Sequence, residues 1–147
     1  MMYEIPADIT WGLNFGSIAA IAFLVANLYV MLHLVQMIIA PKSQWTWLNR
    51  MRKSWHYVHY IGNAVTLVVV VIHATLLGQF ASVFHWVLII LLGWMVFAGV
   101  VMRFIKASPN FKKALRRFHA QWYMFVAILV LLIVAHLASL RSFAYPL

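Results

Sequence analysis

Residues 54–77 read SWHYVHYIGNAVTLVVVVIHATLL. The run holds no Asp, Glu, Lys or Arg and stops at Gly78. A bilayer core needs roughly 20 mostly apolar residues in helix, so this stretch predicts a membrane span. It also carries His56, His59 and His73. Ionisable side chains inside a membrane are costly and point to function by default.

Working outward, three more runs meet the same length test: residues 9–40 (ended by Pro41), 83–105 and 114–140. Backbone groups in lipid must be satisfied internally, which favours helices. The predicted fold is therefore all-α: a polytopic membrane four-helix bundle forming a single transmembrane domain over residues 1–147. The first span would run about 48 Å by helical rise, long enough to tilt or to project. Composition agrees. Of the 147 residues, 66% are hydrophobic and 9% charged, against roughly 25% charged in a soluble domain. Lipid or partner subunits must replace the missing polar coat.

The same composition excludes several chemistries. Without cysteine there is no disulfide, cysteine-ligated cluster, zinc–thiolate site or thioether-attached haem. The only carboxylate side chains are Glu4 and Asp8, too few for a carboxylate-bridged di-metal site. Seven histidines remain as candidate ligands. The net charge of +9 does not indicate nucleic-acid binding, because the basic residues lie between apolar runs, where topology signals lie.

Lys42, Arg50, Arg52 and Lys53 fill the first connection; Arg103, Lys106, Lys112, Lys113, Arg116 and Arg117 flank the third. Of the eleven basic residues only Arg141 falls on the other side. The positive-inside rule then predicts cytoplasmic basic loops and both termini extracytoplasmic, in the inner (cytoplasmic) membrane. The start, with no basic region ahead of a short apolar core, is not read as a removed signal peptide. Residues 43–54 mix Trp45 and Trp47 with cations and are expected in the headgroup interface.

Spans two and four run in the same direction, so depths compare directly. His59 and His119 each lie a turn or so inside the cytoplasmic end; His73 and His136 lie about a turn from the outer end. The 14 residues from His59 to His73 make two heptads, which return to one helix face about 21 Å away. The 17 residues from His119 to His136 drift about 50° from one face. His56 to His73 is also 17, so the inner ligand on span two stands between His56 and His59, with His59 preferred for depth and facing. A b-type haem takes two axial imidazoles from opposite sides and an apolar slot. Its propionates need cationic partners: Arg103, Arg116 and Arg117 for an inner group, Arg141 for an outer one.

The segments His59-Tyr60-Ile61-Gly62 through Ile72-His73-Ala74, and Arg116-Arg117-Phe118-His119 through Ala135-His136-Leu137, resemble the membrane cytochrome b superfamilies, especially ferric-reductase-like and small di-haem cytochrome b subunits. The resemblance covers residues 54–140. It implies two b haems on His59/His119 and His73/His136. The 17-residue spacing departs from the 13 or 14 usual there, and the flavin and nicotinamide domain of full ferric reductases is absent.

Three functions follow as expectations. The first is an electron-transfer subunit, non-catalytic or quinone-reactive, passing electrons between the quinone pool and a partner redox protein. The second is a pigment-binding or structural subunit of a larger membrane complex; depth-matched pairs speak against it, since single-ligand pigments need no matching. The third is a histidine-relay transporter, which usually wants intramembrane carboxylates. His33 and His85 read individually as helix–helix hydrogen-bond partners, with a third haem on either as the alternative. His56 reads as structural or propionate-contacting. Asn27 and Gln36 read as interhelical hydrogen bonds, and Gly93 and Gly99 as points of close helix approach.

Overall fold

The computed structural model describes residues 6–43 and 45–144, with the side chains of 141–144 left aside. Five helices follow in order: α1 (Ala7–Ile39), α2 (Thr46–Leu76), α3 (Val83–Phe104), α4 (Pro109–His119) and α5 (Trp122–Ala144), with a 3-10 turn at Gly78–Phe80. The described residues are helical with no strand. Four helices are long and apolar enough to cross a membrane: α1, α2, α3 and residues 122–140 of α5. The chain is a multi-pass membrane protein.

Two boundaries differ from the sequence reading. α2 begins at Thr46, eight residues before the apolar run. No Pro or Gly lies between Thr46 and Ser54, so nothing stops the helix from extending through the interfacial segment. The predicted fourth span is not one helix. It breaks at Ala120–Gln121 into α4 and α5. Four cations crowd residues 112–117, while 122–140 hold none, so the chain changes solvent where it changes direction.

The helix starts are locally encoded. Ser108 caps α4, its Oγ accepting from the Phe111 N–H at 3.3 Å, and Pro109 follows at the first helical position, where its missing N–H is harmless. At α3 the His85 Nδ1 accepts from the Ser82 N–H at 3.1 Å, the reach-back of a capping box with histidine in place of glutamate.

α1 and α2 pack as an antiparallel pair along much of their length. Gly12, Ala19, Phe23 and Ala26 are buried on α1, and small residues let the backbones approach. A Cβ at Gly62 would stand 2.7 Å from the Ala26 Cβ, and one at Gly16 2.7 Å from the His73 imidazole. The centre of the bundle is Phe23, Leu88, Leu92, Phe125 and Ile128, with Phe23 and Phe125 stacked at 5.9 Å. A second, smaller cluster of Ala98, Val101 and Leu115 fastens α4 to the end of α3. The outer faces remain apolar, as Ile38, Ile39 and Ile90 show by their exposure, which suits lipid contact rather than water.

Candidate functional site

The antiparallel α1–α2 pair and the α3–α5 pair bring histidines together at two levels. At one end His59 of α2 faces His119 at the last turn of α4, with ring centres 6.1 Å apart and planes at 83°. At the other end His73 of α2 faces His136 of α5, with ring centres 6.3 Å apart and planes at 13°. Two imidazoles bound to one metal from opposite sides, each nitrogen about 2 Å away, have ring centres about 6 Å apart whatever the angle between their planes. Both separations fit a shared ion. Among the described residues no three His, Cys, Asp or Glu side chains form a metal-holding group, so each candidate site is a two-imidazole site.

The break between α4 and α5 alters the meaning of the 17-residue spacing. His119 ends α4 and His136 lies on α5, so the facing of one is not carried to the other by a continuous helix. His119 reaches the level of His59 through the turn instead.

The hydrogen bonds say which ring nitrogens are committed. A carbonyl only accepts, so the histidine nitrogen facing one must carry the proton. His73 Nδ1 donates to the Gly12 carbonyl at 2.7 Å. His59 Nδ1 lies 3.2 Å from the Ala26 carbonyl, and His136 Nδ1 donates to the Leu132 carbonyl of its own helix at 2.8 Å. With the proton on Nδ1, the lone pair is on Nε2, the arrangement that metal-bound histidines use. Gly12 and Ala26 are 14 residues apart on α1, as His59 and His73 are on α2. The antiparallel helices thus match two carbonyls to two imidazoles.

Around His59 the polar contacts extend. Asn27, buried on α1, donates from Nδ2 to the Asn63 Oδ1 at 2.9 Å and to the Phe23 carbonyl at 2.9 Å. Asn63 Nδ2 donates to the His59 carbonyl at 2.7 Å and lies 3.1 Å from His59 Nδ1. Asn27 is therefore an interhelical hydrogen-bonding residue, as its position suggested. Asn63, one turn beyond His59, was not singled out by sequence; its i, i+4 spacing from the histidine was the available signal. Gly12, Gly16 and Ala26 also went unread, although Gly12-x-x-x-Gly16 is a small-residue packing pattern.

A cavity of about 530 Å³ opens beside the His59/His119 pair, within the usual size of cofactor and ligand sites. His59 and His119 both line it, among Phe23, Leu92, Met95 and Phe125. Gly99 is buried at its wall, where a Cβ would rest 3.5 Å from both His119 and Tyr60. The Nδ1 of His119 is buried, with the Met95 backbone as its nearest, poorly aligned partner. The apolar walls, the facing imidazoles and the glycine beside the His119 ring fit a flat, metal-centred group.

The remaining candidates lie as follows. His56 is exposed, packs edge-on against Tyr60 at 4.6 Å and is not part of the cavity wall. His33 lines the cavity from α1 and stacks on Tyr29 at 6.0 Å. His85 caps α3, and its ring centre is 5.4 Å from that of His136, at the His73/His136 level. Arg103, Arg116 and Arg117 are exposed and do not line the cavity. The Arg141 side chain lies outside the described residues. Gln36 does not bridge helices: its Nε2 donates to the Ser43 carbonyl at 2.6 Å and closes the α1–α2 turn. Nor does Gly93 mark a close approach, since a Cβ there would meet open space. The chain matches no family model, and no similar protein was found among curated proteins or solved structures.

Proposed function

We propose that this chain is a transmembrane electron-transfer subunit that holds two b-type haems, one on His59 and His119 and one on His73 and His136. One observation carries the reading: two interhelical imidazole pairs, with ring centres 6.1 and 6.3 Å apart, at the two ends of one bundle. Haem bound there supplies a centre that takes up and releases single electrons, with potential tuned by ligands, hydrogen bonds and burial. The chain's own contribution is positional. Gly12 holds the His73 imidazole in one tautomer, Leu132 does so for His136, Ala26 and Asn63 orient His59, and apolar walls line the cavity beside His59 and His119.

The level separation is about 21 Å along α2, so the pair of sites spans most of the apolar core. The connections between helices are too short to house a further redox centre. A partner redox protein on one face and a quinone on the other complete the path, with the quinone on the side of His33, His56 and the basic loops. On this reading the basic loops are cytoplasmic, both termini are extracytoplasmic and the membrane is the inner (cytoplasmic) one. Arg103, at the end of α3, is the cation for the inner propionates and Arg141 for the outer ones, while Arg116 and Arg117 lie on the exposed face of α4.

A second reading has its own observation. His59 and His73 already have interhelical hydrogen-bond partners, so the histidines could serve a structural or pigment-binding subunit. The optical spectrum separates the two. Purified in mild detergent, the protein should give a Soret band and a b-type α-band on dithionite reduction, with two haems per chain. A colourless preparation, or one with chlorophyll bands alone, removes the electron-transfer reading.

A further inference from the structure

The polar surface of α4 is not used by the histidine sites. Phe111, Leu115 and Phe118 recur at i, i+4 and i+7 and share one helix face; Lys113, Arg116 and Arg117 lie opposite. Leu115 is buried against the end of α3. Phe111 and Phe118 flank it and stay exposed, as do the three cations. An aromatic–cationic helix of this kind, placed where the chain enters an apolar span at Trp122, has the composition of an interfacial helix.

Among the described residues these cations have no counter-charge nearby. The only side-chain carboxylates are Glu4 and Asp8. Asp8 sits in the first turn of α1, one turn from Gly12, which abuts Leu77 at the end of α2 remote from His59 and His119. Among the described residues, then, the α4 cations are left to meet a counter-charge from outside. Exposed Phe111 and Phe118 on the same short helix favour a lipid surface over an acidic protein, because they would enter the acyl boundary while the cations meet phosphate.

We infer that α4 is a seat for anionic phospholipid headgroups, and that lipid bound there fixes the last turn of α4 and with it His119. Lipid binding stands apart from the haem reading; only its consequence for the inner site rests on it. The connection is short. Arg116 and Arg117 precede His119 by less than one turn, and the helix is interrupted at Ala120–Gln121, so α4 is not held in place by helical continuity with α5.

The test uses the full chain in nanodiscs of phosphatidylcholine alone or with phosphatidylglycerol, read by retained lipid in native mass spectrometry and by amide exchange over residues 109–121. Phosphatidylglycerol should be retained and should slow exchange there. Each cation removed should weaken retention about fivefold, so K113Q/R116Q/R117Q should lose on the order of a hundredfold. The control K42Q/R52Q, in the other basic connection, should keep the α4 protection. Equal retention by the triple variant, equal loss of protection in the control, or protection by soluble polyglutamate without lipid would each overturn the proposal. These readouts need no haem. A colourless protein that still shows lipid-dependent protection sinks the electron-transfer reading and leaves the lipid seat standing.

Discussion

His73 is fixed by a glycine on another helix: its Nδ1 donates to the Gly12 carbonyl at 2.7 Å. A mid-helix carbonyl already accepts from within its own helix but has a second lone pair. Reaching it requires the two backbones to be close, and Gly16 provides that closeness, since a Cβ there would lie 2.7 Å from His73 Cε1 and 2.9 Å from Nδ1. The imidazole has no flexible end with which to yield.

Gly16→Ala should therefore push His73 off the Gly12 carbonyl and away from His136. The expected outcome is loss of the outer haem alone, read as a fall from two haems per chain to one with the inner signal unchanged. His73→Ala and His136→Ala should give the same half-loaded protein. Loss of both haems, or of neither, from any of these changes would contradict the pairing.

At the inner level the matching change is at Gly99. Its Cβ position is in ordinary contact range of His119 and Tyr60, so Gly99→Ala should be tolerated. Gly99→Leu places three more carbons into the cavity wall. It should abolish the inner haem and keep the outer one, with the chain still folded by circular dichroism. An unaltered haem content in Gly99→Leu would show that the cavity is not the binding slot.

Asn27 and Asn63 allow a test that needs no cofactor. Asn63→Leu leaves the buried Asn27 amide without its interhelical acceptor, a cost of about 1–3 kcal/mol. Replacing both, as Asn27→Leu/Asn63→Leu, removes the unpaired group and should recover part of the loss. Unfolding in detergent, followed for both single variants and the double one, gives the coupling directly. Additive losses would mean that the two amides do not act as a pair.

Much of this arrangement could be read from side-chain type and spacing, and the rest could not for identifiable reasons. The four apolar runs announce themselves because lipid admits few charged residues. The levels of His59, His73, His119 and His136 follow from counting residues along helices of fixed rise. The break at Ala120–Gln121 carries no Pro or Gly, and only the change from cationic to apolar sequence marks it. Gly12 and Ala26 act through backbone carbonyls, which every residue possesses, so their identity gives no chemical signal. Their 14-residue separation acquires meaning only once α1 is known to lie against α2.

The orientation of the chain is open to a clean chemical test, because the sequence contains no cysteine. Lys42 and Lys106 are exposed in the two basic connections, and Gln79 is exposed in the turn between α2 and α3. Single Lys42→Cys, Lys106→Cys and Gln79→Cys variants therefore carry one thiol each at opposite ends of the bundle. With the basic loops cytoplasmic, an impermeant maleimide added to intact spheroplasts should label Gln79→Cys and spare the other two until the membrane is opened. The reverse pattern would invert the topology and place the His59/His119 level on the outer side. The cations of α4 would then meet the outer leaflet, and the quinone assignment would have to move with them.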